Sequence, residues 1–346
     1  MSYKAWIVAV LVTAGMPAAA AEKKCVLQIT GELPVTMNGT QPLIEGTING
    51  KPARFLADSG AFFSMLSLQN TQKFGVKLEP APANLQIVSG VVGNARVQMT
   101  KVAQFTLTGF AGGHVYEKVD FLVIDKILGG GRVDGLIGQN VIGMGDTEYD
   151  LANGFIRLLR SKDCKDAMLA YWAAGKAVAA LDYEPTSILE PHLVTTARLN
   201  GKKIRVMLDS GASRSFLTLR AAARAGIEPE DEGVTAAGIT RGIGRRTPES
   251  FLASFDSLDL GGEVIRNARL RMSDAGGDSI DMLLGADFFL SHRLYVDSRN
   301  RKIYFTYNGG PVFDLRRRND DADVQAAADP LAPPDASAAG PTAGNA

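Results

Sequence analysis

Residues Leu43–Leu66 read LIEGTINGKPARFLADSGAFFSML, and residues Val194–Leu217 read VTTARLNGKKIRVMLDSGASRSFL. The two stretches align without a gap at an offset of 151. Each has a strand-like apolar run, then Asn-Gly-Lys, then a second apolar run. Asn49-Gly50 and Asn200-Gly201 suit a two-residue hairpin turn, because both central positions tolerate positive φ. The second strand of each expected hairpin runs into Asp-Ser-Gly-Ala, at Asp58–Ala61 and Asp209–Ala212.

The correspondence continues downstream. Phe74-Gly75-Val76 matches Ala225-Gly226-Ile227. Glycine-punctuated stretches follow at Ser89–Val97 and Ala237–Arg246. Next come Asp134–Gly138 (DGLIG) and Asp281–Gly285 (DMLLG), each ahead of a helix-like segment, QNVIG or ADFFL. Aromatic-rich strands close both halves: Glu148–Asp150 with Gly154–Leu159, and Leu294–Asp297 with Lys302–Phe305. Asp58 to Gly138 is 80 residues and Asp209 to Gly285 is 76. The same landmarks in the same order, at nearly equal spacing, mark an internal duplication.

The whole-chain numbers agree with two domains. At 346 residues the chain is long enough for two, and 46% hydrophobic residues supply a core for each. Lys plus Arg number 37 and Asp plus Glu number 37, so no cationic excess points to a nucleic-acid partner. The 37 glycines imply many turns and short strands. Three His and two Cys are thin material for a metal centre, and no metal or cofactor is expected. His114, His192 and His292 share no pattern and read as surface or structural residues rather than bases. Gly129–Gly131 lacks the Lys-Ser or Lys-Thr of a phosphate loop and reads as a plain loop. Ser273–Asp281 carries three acids and two glycines, but not in the alternation of a calcium loop.

The ends read differently from the interior. Residues 1–21 give Lys4, an apolar run Ala5–Ala14, a break at Gly15 and Pro17, and small residues at Ala18–Ala21. That is the pattern of a cleaved secretory signal, and the run is about half of the ~20 residues a spanning helix needs. The expected location is therefore periplasmic or secreted, with no membrane attachment after cleavage. Residues 317–346, rich in Ala, Pro, Asp and Gly, are expected to be a disordered tail. An oxidising compartment permits Cys25 and Cys164, the only cysteines, to pair across the first half. The expected division is a first lobe over 22–164, a linker over 165–190 and a second lobe over 191–316. Ala-rich DAMLAYWAAGKAVAALDY, free of proline, makes that linker helical by propensity, with Tyr171 and Trp172 packing on the first lobe.

The chemistry rests on the two Asp-Ser-Gly turns. One such turn is a weak signal, since all three residues favour turns. Two at equivalent places are different: about a pseudo-twofold axis, equivalent residues near the axis meet. Asp58 and Asp209 would then share a proton, one acting as general base on water and the other donating to a carbonyl oxygen. Ser59 and Ser210 can hydrogen-bond across the junction, while Gly60 and Gly211 allow the close approach of two loops. The stretches Ser89–Val97 and Ala237–Arg246 are candidate flaps.

Those motifs resemble the retropepsin-like aspartic proteases. The residues that carry the resemblance are Leu56-Ala57-Asp58-Ser59-Gly60-Ala61 with Leu136-Ile137-Gly138, and Met207-Leu208-Asp209-Ser210-Gly211-Ala212 with Leu283-Leu284-Gly285. The phrase LLGADFF is typical of the cellular and bacterial branch, and the likeness covers about residues 40–160 and 190–306. It implies a mostly β chain of two homologous β-barrel lobes about a pseudo-twofold axis. It also implies an aspartic endopeptidase with a peptide or protein substrate. Family members usually form homodimers of one such domain; this chain is similar to a covalent tandem on the two-lobed pepsin plan. The first copy departs more, with Phe62-Phe63 after Ala61 and Gln139-Asn140 where the second has Ala286-Asp287. A noncatalytic peptide-binding protein on the same scaffold is the alternative. Pairing of like halves between two chains is another, although the linker favours an intrachain pseudo-dimer and a monomer.

Overall fold

The computed structural model describes residues 24–184, 192–277 and 279–313. The expected signal at 1–21, the tail at 317–346 and the end of the linker lie outside the described residues.

Each duplicated stretch forms its expected hairpin: Gln41–Ile48 with Lys51–Ala57, and Val194–Leu199 with Lys202–Leu208. Both residues of each turn have positive φ, 49° and 75° at Asn49-Gly50, and 46° and 75° at Asn200-Gly201. The turn asparagines also brace their lobes. Asn49 donates to Phe74 O at 3.0 Å and accepts from Gln104 N at 3.1 Å. Asn200 donates to Ala225 O and accepts from Ser257 N, both at 3.2 Å.

The apolar runs before Gly138 and Gly285 become the wholly buried strands Gly135–Ile137 and Met282–Leu284. Each pairs in parallel with the strand that leads to its Asp-Ser-Gly turn. Burial on both faces explains the unbroken apolar sequence. Asp134 and Asp281 fix this pairing: Asp134 accepts from Arg54 N at 3.0 Å and Asp281 from Arg205 N at 2.9 Å. Cations offset the buried charge, Lys73 at 2.9 Å from Asp134 and Arg224 at 2.8 Å from Asp281.

Two closed six-strand barrels result. In the first, Gln41–Ile48 closes on Gly93–Leu107 through Lys51–Ala57, Gly135–Ile137, Met65–Ser67 and Tyr116–Ile124. In the second, Val194–Leu199 closes on Glu249–Leu260 through Lys202–Leu208, Met282–Leu284, Phe216–Thr218 and Glu263–Ser273. Closure removes the unpaired strand edges that an open sheet would expose. Short helices follow Gly138 and Gly285, at Gln139–Ile142 and Ala286–Ser291.

A third sheet joins the lobes. Its order is Val26–Pro34, Phe155–Lys162, Asp146–Asp150, His292–Asp297, Lys302–Tyr307, Ala179–Asp182. The join is antiparallel, with Glu148 opposite Tyr295. Tyr295 donates to Asp146 at 3.0 Å across it. Cys25 and Cys164 are bonded, with Cα atoms 4.4 Å apart, and staple the outer strand of this sheet to its neighbour.

Among its described residues, 165–184, the linker is not helical. After Cys164 the chain runs through turns and ends in the strand Ala179–Asp182, which pairs with Lys302–Tyr307. Alanine propensity is overridden by packing. Leu169, Ala170 and Ala173 bury in one cluster with Tyr295 and Tyr304. Asp166 and Gly175 take positive φ, 61° and 76°, which a helix does not allow. Trp172, expected on the first lobe, instead reaches second-lobe strands: it donates Nε1 to Thr306 Oγ1 at 2.9 Å and lies under Arg293. Tyr171 is half exposed and donates to Glu148 at 2.5 Å.

Candidate active site

The two Asp-Ser-Gly turns meet where the barrels abut. Each aspartate is delivered by the parallel pairing beneath it: Asp58 N donates to Ile137 O at 3.0 Å, and Asp209 N to Leu284 O at 2.9 Å. Each carboxylate then closes its own turn. Asp58 Oδ1 accepts from Gly60 N at 3.0 Å and Ala61 N at 2.9 Å. Asp209 Oδ1 accepts from Gly211 N at 2.9 Å and Ala212 N at 3.0 Å. This leaves Oδ2 of each group out of its turn, and each carboxyl group lies against the glycine of the facing turn, Asp209 against Gly60 and Asp58 against Gly211.

Ser59 and Ser210 lock the junction from below and are both completely buried. Ser59 N donates to Ser210 Oγ at 3.0 Å, and Ser210 N to Ser59 Oγ at 2.9 Å. Each hydroxyl donates onward to the opposite strand, Ser59 to Leu208 O at 3.1 Å and Ser210 to Ala57 O at 2.8 Å. The glycines are a steric need as well. A Cβ on Gly60 would collide with the carboxyl of Asp209, and one on Gly211 with that of Asp58.

Burial and proximity set the electrostatics. Desolvation, then the charge of Asp209, pushes Asp58 well above the ordinary carboxylate range. Desolvation also raises Asp209, against the pull of the Ala212 and Gly211 amides. The pair therefore holds a proton at pH values where free aspartates have lost theirs.

A second pair of equivalent contacts stiffens the turns. Asn140 Oδ1 accepts from Ser64 N at 2.8 Å and Ser64 Oγ at 2.9 Å, and Ser64 Oγ accepts from Gly138 N at 3.1 Å. Asp287 Oδ1 accepts from Ser215 N at 2.8 Å and Ser215 Oγ at 2.7 Å, and Ser215 Oγ accepts from Gly285 N at 2.9 Å. The Asn140-for-Asp287 departure thus keeps the acceptor and changes only the charge. Asp287 is buried, which pushes it up to about 6, and its Oδ2 has no hydrogen-bond partner. Gln139, the other departure, donates Nε2 to Ser59 O at 3.0 Å and so braces the first turn.

The candidate flaps face each other across the junction. The first is the hairpin of Ile87–Gly90 with the start of Gly93–Leu107. The second leaves the strand Thr235–Ile239 and returns at Glu249–Leu260. Their tips are hydrogen-bonded: Val92 N donates to Ile243 O at 3.2 Å and Arg246 N to Val92 O at 3.0 Å. Val92 is buried against Phe216, Ala275 and Leu283 of the second lobe. Ile243 packs on a first-lobe cluster that includes Leu56, Met65 and Leu136. Each tip thus crosses to the other lobe and rests on apolar strand residues two positions before Asp209 or Asp58, or two before Gly138 or Gly285.

Of the histidines, His292 is buried, stacked on Phe288 at 4.0 Å and bonded to Glu263 at 2.9 Å. His114 lies edge-on to Tyr116. His192 stacks on Phe62 at 4.3 Å, four residues beyond Asp58, a placement that spacing alone did not suggest. Among the described residues no group of three or more His, Cys, Asp or Glu side chains is placed to hold a metal ion.

A family model described as aspartyl protease matches residues 44–141 and 195–288, more than half of the chain and one match in each lobe. No curated protein matches the sequence significantly. Among solved structures, the crystal structure of aspartic proteinase from Irpex lacteus is similar with a TM-score of 0.47 at 12% identity, covering 82% of this chain and 97% of that one.

Proposed function

Because the chain belongs to the aspartyl protease family, we propose that it is an exported aspartic endopeptidase in which Asp58 and Asp209 together activate water against a peptide bond. The observation that carries this reading is the approach of two buried carboxyl groups, each closed into its own turn and pressed against the glycine of the other.

The chemistry follows from the shared proton. The ionised carboxylate takes a proton from a water held between the pair, and the water oxygen bonds to the carbonyl carbon. The protonated carboxyl gives its proton to the carbonyl oxygen, so no free oxyanion forms. The C–N bond then breaks as the nitrogen takes a proton, and two chain ends leave. The pair acts as a unit, and neither aspartate has a fixed role. The serine lattice below holds the two carboxyls in register, which is where most of the benefit of a pre-set geometry lies. The flaps cover the cleft and exclude bulk water while a peptide lies between them. Export is supported by the leader-like residues 1–21 and the Cys25–Cys164 bond, which suits an oxidising compartment.

The test is hydrolysis of a diverse peptide mixture from pH 3 to 8 by wild type, Asp58→Asn and Asp209→Asn. Wild type cleaves and both variants lose at least ~1,000-fold, in the range seen when an acid–base group is removed. Cleavage that persists in both variants, or none in wild type at any pH, overturns the reading.

A further inference from the structure

The two flaps are held in unlike ways. The first is tied by main chain: Gly276 N donates to Val91 O at 2.6 Å. The second, besides its tip bonds to Val92, is tied to the opposite barrel by a side chain. Lys126 Nζ donates to the carbonyls of both Gly242 and Gly244, the latter at 3.0 Å, and so brackets Ile243 at the flap tip.

Lys126 is well placed to be an anchor. It belongs to the first lobe, just beyond the strand Tyr116–Ile124. Its own carbonyl accepts from Ser67 Oγ at 3.0 Å, which ties it to the barrel wall. Its ammonium is half-buried, so desolvation weighs against the charge, and the two carbonyl oxygens replace the lost water. Barrel register identifies the equivalent position in the second lobe. Ser67 pairs with Ile124 as Thr218 pairs with Ser273, which sets Lys126 opposite Ala275. Ala275 is buried beneath Val92 and carries no polar group. The cationic tie therefore exists on one side of the pseudo-twofold axis only.

The fit leaves little slack. A Cβ on Gly242 would collide with Val91, and one on Gly90 with Ile243. With both carbonyls of Gly242 and Gly244 held, Ile243 stays seated on the apolar cluster beside Asp58.

We propose that Lys126 is a positioning residue that helps latch the second flap shut from the opposite lobe, so that opening of the second flap has to break this side-chain tie as well as the tip bonds to Val92. This rests on the peptidase reading for its kinetic consequence, but the latch itself is testable without any turnover.

The experiment compares the full chain with Lys126→Met, which keeps the stem and removes the donor, and with Lys126→Arg, which keeps the charge. Hydrogen exchange read by mass spectrometry on the segment 240–246 is expected to speed up about tenfold or more in Lys126→Met, as fits loss of a charge-assisted bond. It should stay within about threefold of wild type in Lys126→Arg. Exchange over 51–57 and 202–208 should not move, which separates a latch from general destabilisation. With an apolar peptide substrate, KM is expected to rise roughly 3- to 10-fold in Lys126→Met while kcat stays within about twofold. Unchanged exchange over 240–246 in Lys126→Met overturns the latch whatever the activity. An absence of hydrolysis in wild type with faster exchange in Lys126→Met overturns the peptidase reading and supports the latch.

Discussion

Ser59 and Ser210, 151 residues apart, each receive the other's main-chain N–H on the side-chain oxygen and pass their own hydroxyl hydrogen to the opposite lobe. Four hydrogen bonds thus cross the junction directly below the carboxyl pair, and every atom in them is buried. Ser59→Ala strands the N–H of Ser210 and the carbonyl of Leu208 without partners. Each stranded group costs about 1–3 kcal/mol. The expected loss is about 2–4 kcal/mol for Ser59→Ala, and a similar loss for Ser210→Ala because the lattice is symmetric. Urea unfolding measures it; a loss under ~1 kcal/mol in either variant would contradict the lattice.

Gly60 and Gly211 are each pressed against the other turn's carboxyl group. Alanine at either position has to push the facing aspartate away from its partner. A displacement near 1 Å at reacting groups costs about 100-fold in rate. Gly60→Ala and Gly211→Ala are each expected to lower kcat by at least that factor while the barrels remain folded, as read by far-UV circular dichroism.

Asp287 gives a pH signature with a built-in comparison, because Asn140 does the same work in the first lobe. Burial raises Asp287 from its ordinary value to about 6. A carboxyl whose folded pKa is raised favours folding while protonated, below the unfolded pKa near 4. That contribution is lost as pH rises through about 6. At pH 7.5 the charged form costs about 2–3 kcal/mol. Asp287→Asn keeps the acceptor for Ser215 and removes the charge. Stability of the variant is expected to exceed wild type at pH 7.5 by up to that amount and to match it within about 1 kcal/mol at pH 4. Denaturant midpoints at the two pH values decide it. An equal difference at both would show that Asp287 does not titrate in this range.

The Cys25–Cys164 bond spans a sequence separation of 139. Loss of a native disulfide of this kind costs about 2–5 kcal/mol. Cys25→Ala with Cys164→Ala is expected to lower the denaturant midpoint accordingly, and a reductant should do the same to wild type. A reductant with no effect on wild type would mean the bond is absent from the folded protein.

The elements read correctly from sequence share one property: their reasons are local. Asn49-Gly50 and Asn200-Gly201 carry their turn in their own φ preferences. The strands before Gly138 and Gly285 are apolar throughout because both faces are covered. The linker fails for the converse reason. Its alanines favour helix in isolation, yet Leu169, Ala170 and Ala173 are drawn to Tyr295 and Tyr304, residues the local window does not contain. Gln139-Asn140 reads as divergence, but only the fold reveals that Asn140 meets Ser64 as Asp287 meets Ser215.

The sequence alone determined the duplication, the two hairpins and the identity of Asp58, Ser59, Gly60, Asp209, Ser210 and Gly211 as the residues at issue. A repeat carries that much, because equal sequence at equal spacing folds alike and an axis brings equivalents together. Only the tertiary structure decided how the halves differ. Which flap is tied by Lys126, which buried acceptor is charged and which histidine reaches the Asp58 turn all depend on contacts between distant segments. Such contacts are set by three-dimensional packing of whole lobes, and no pattern within either segment encodes its partner.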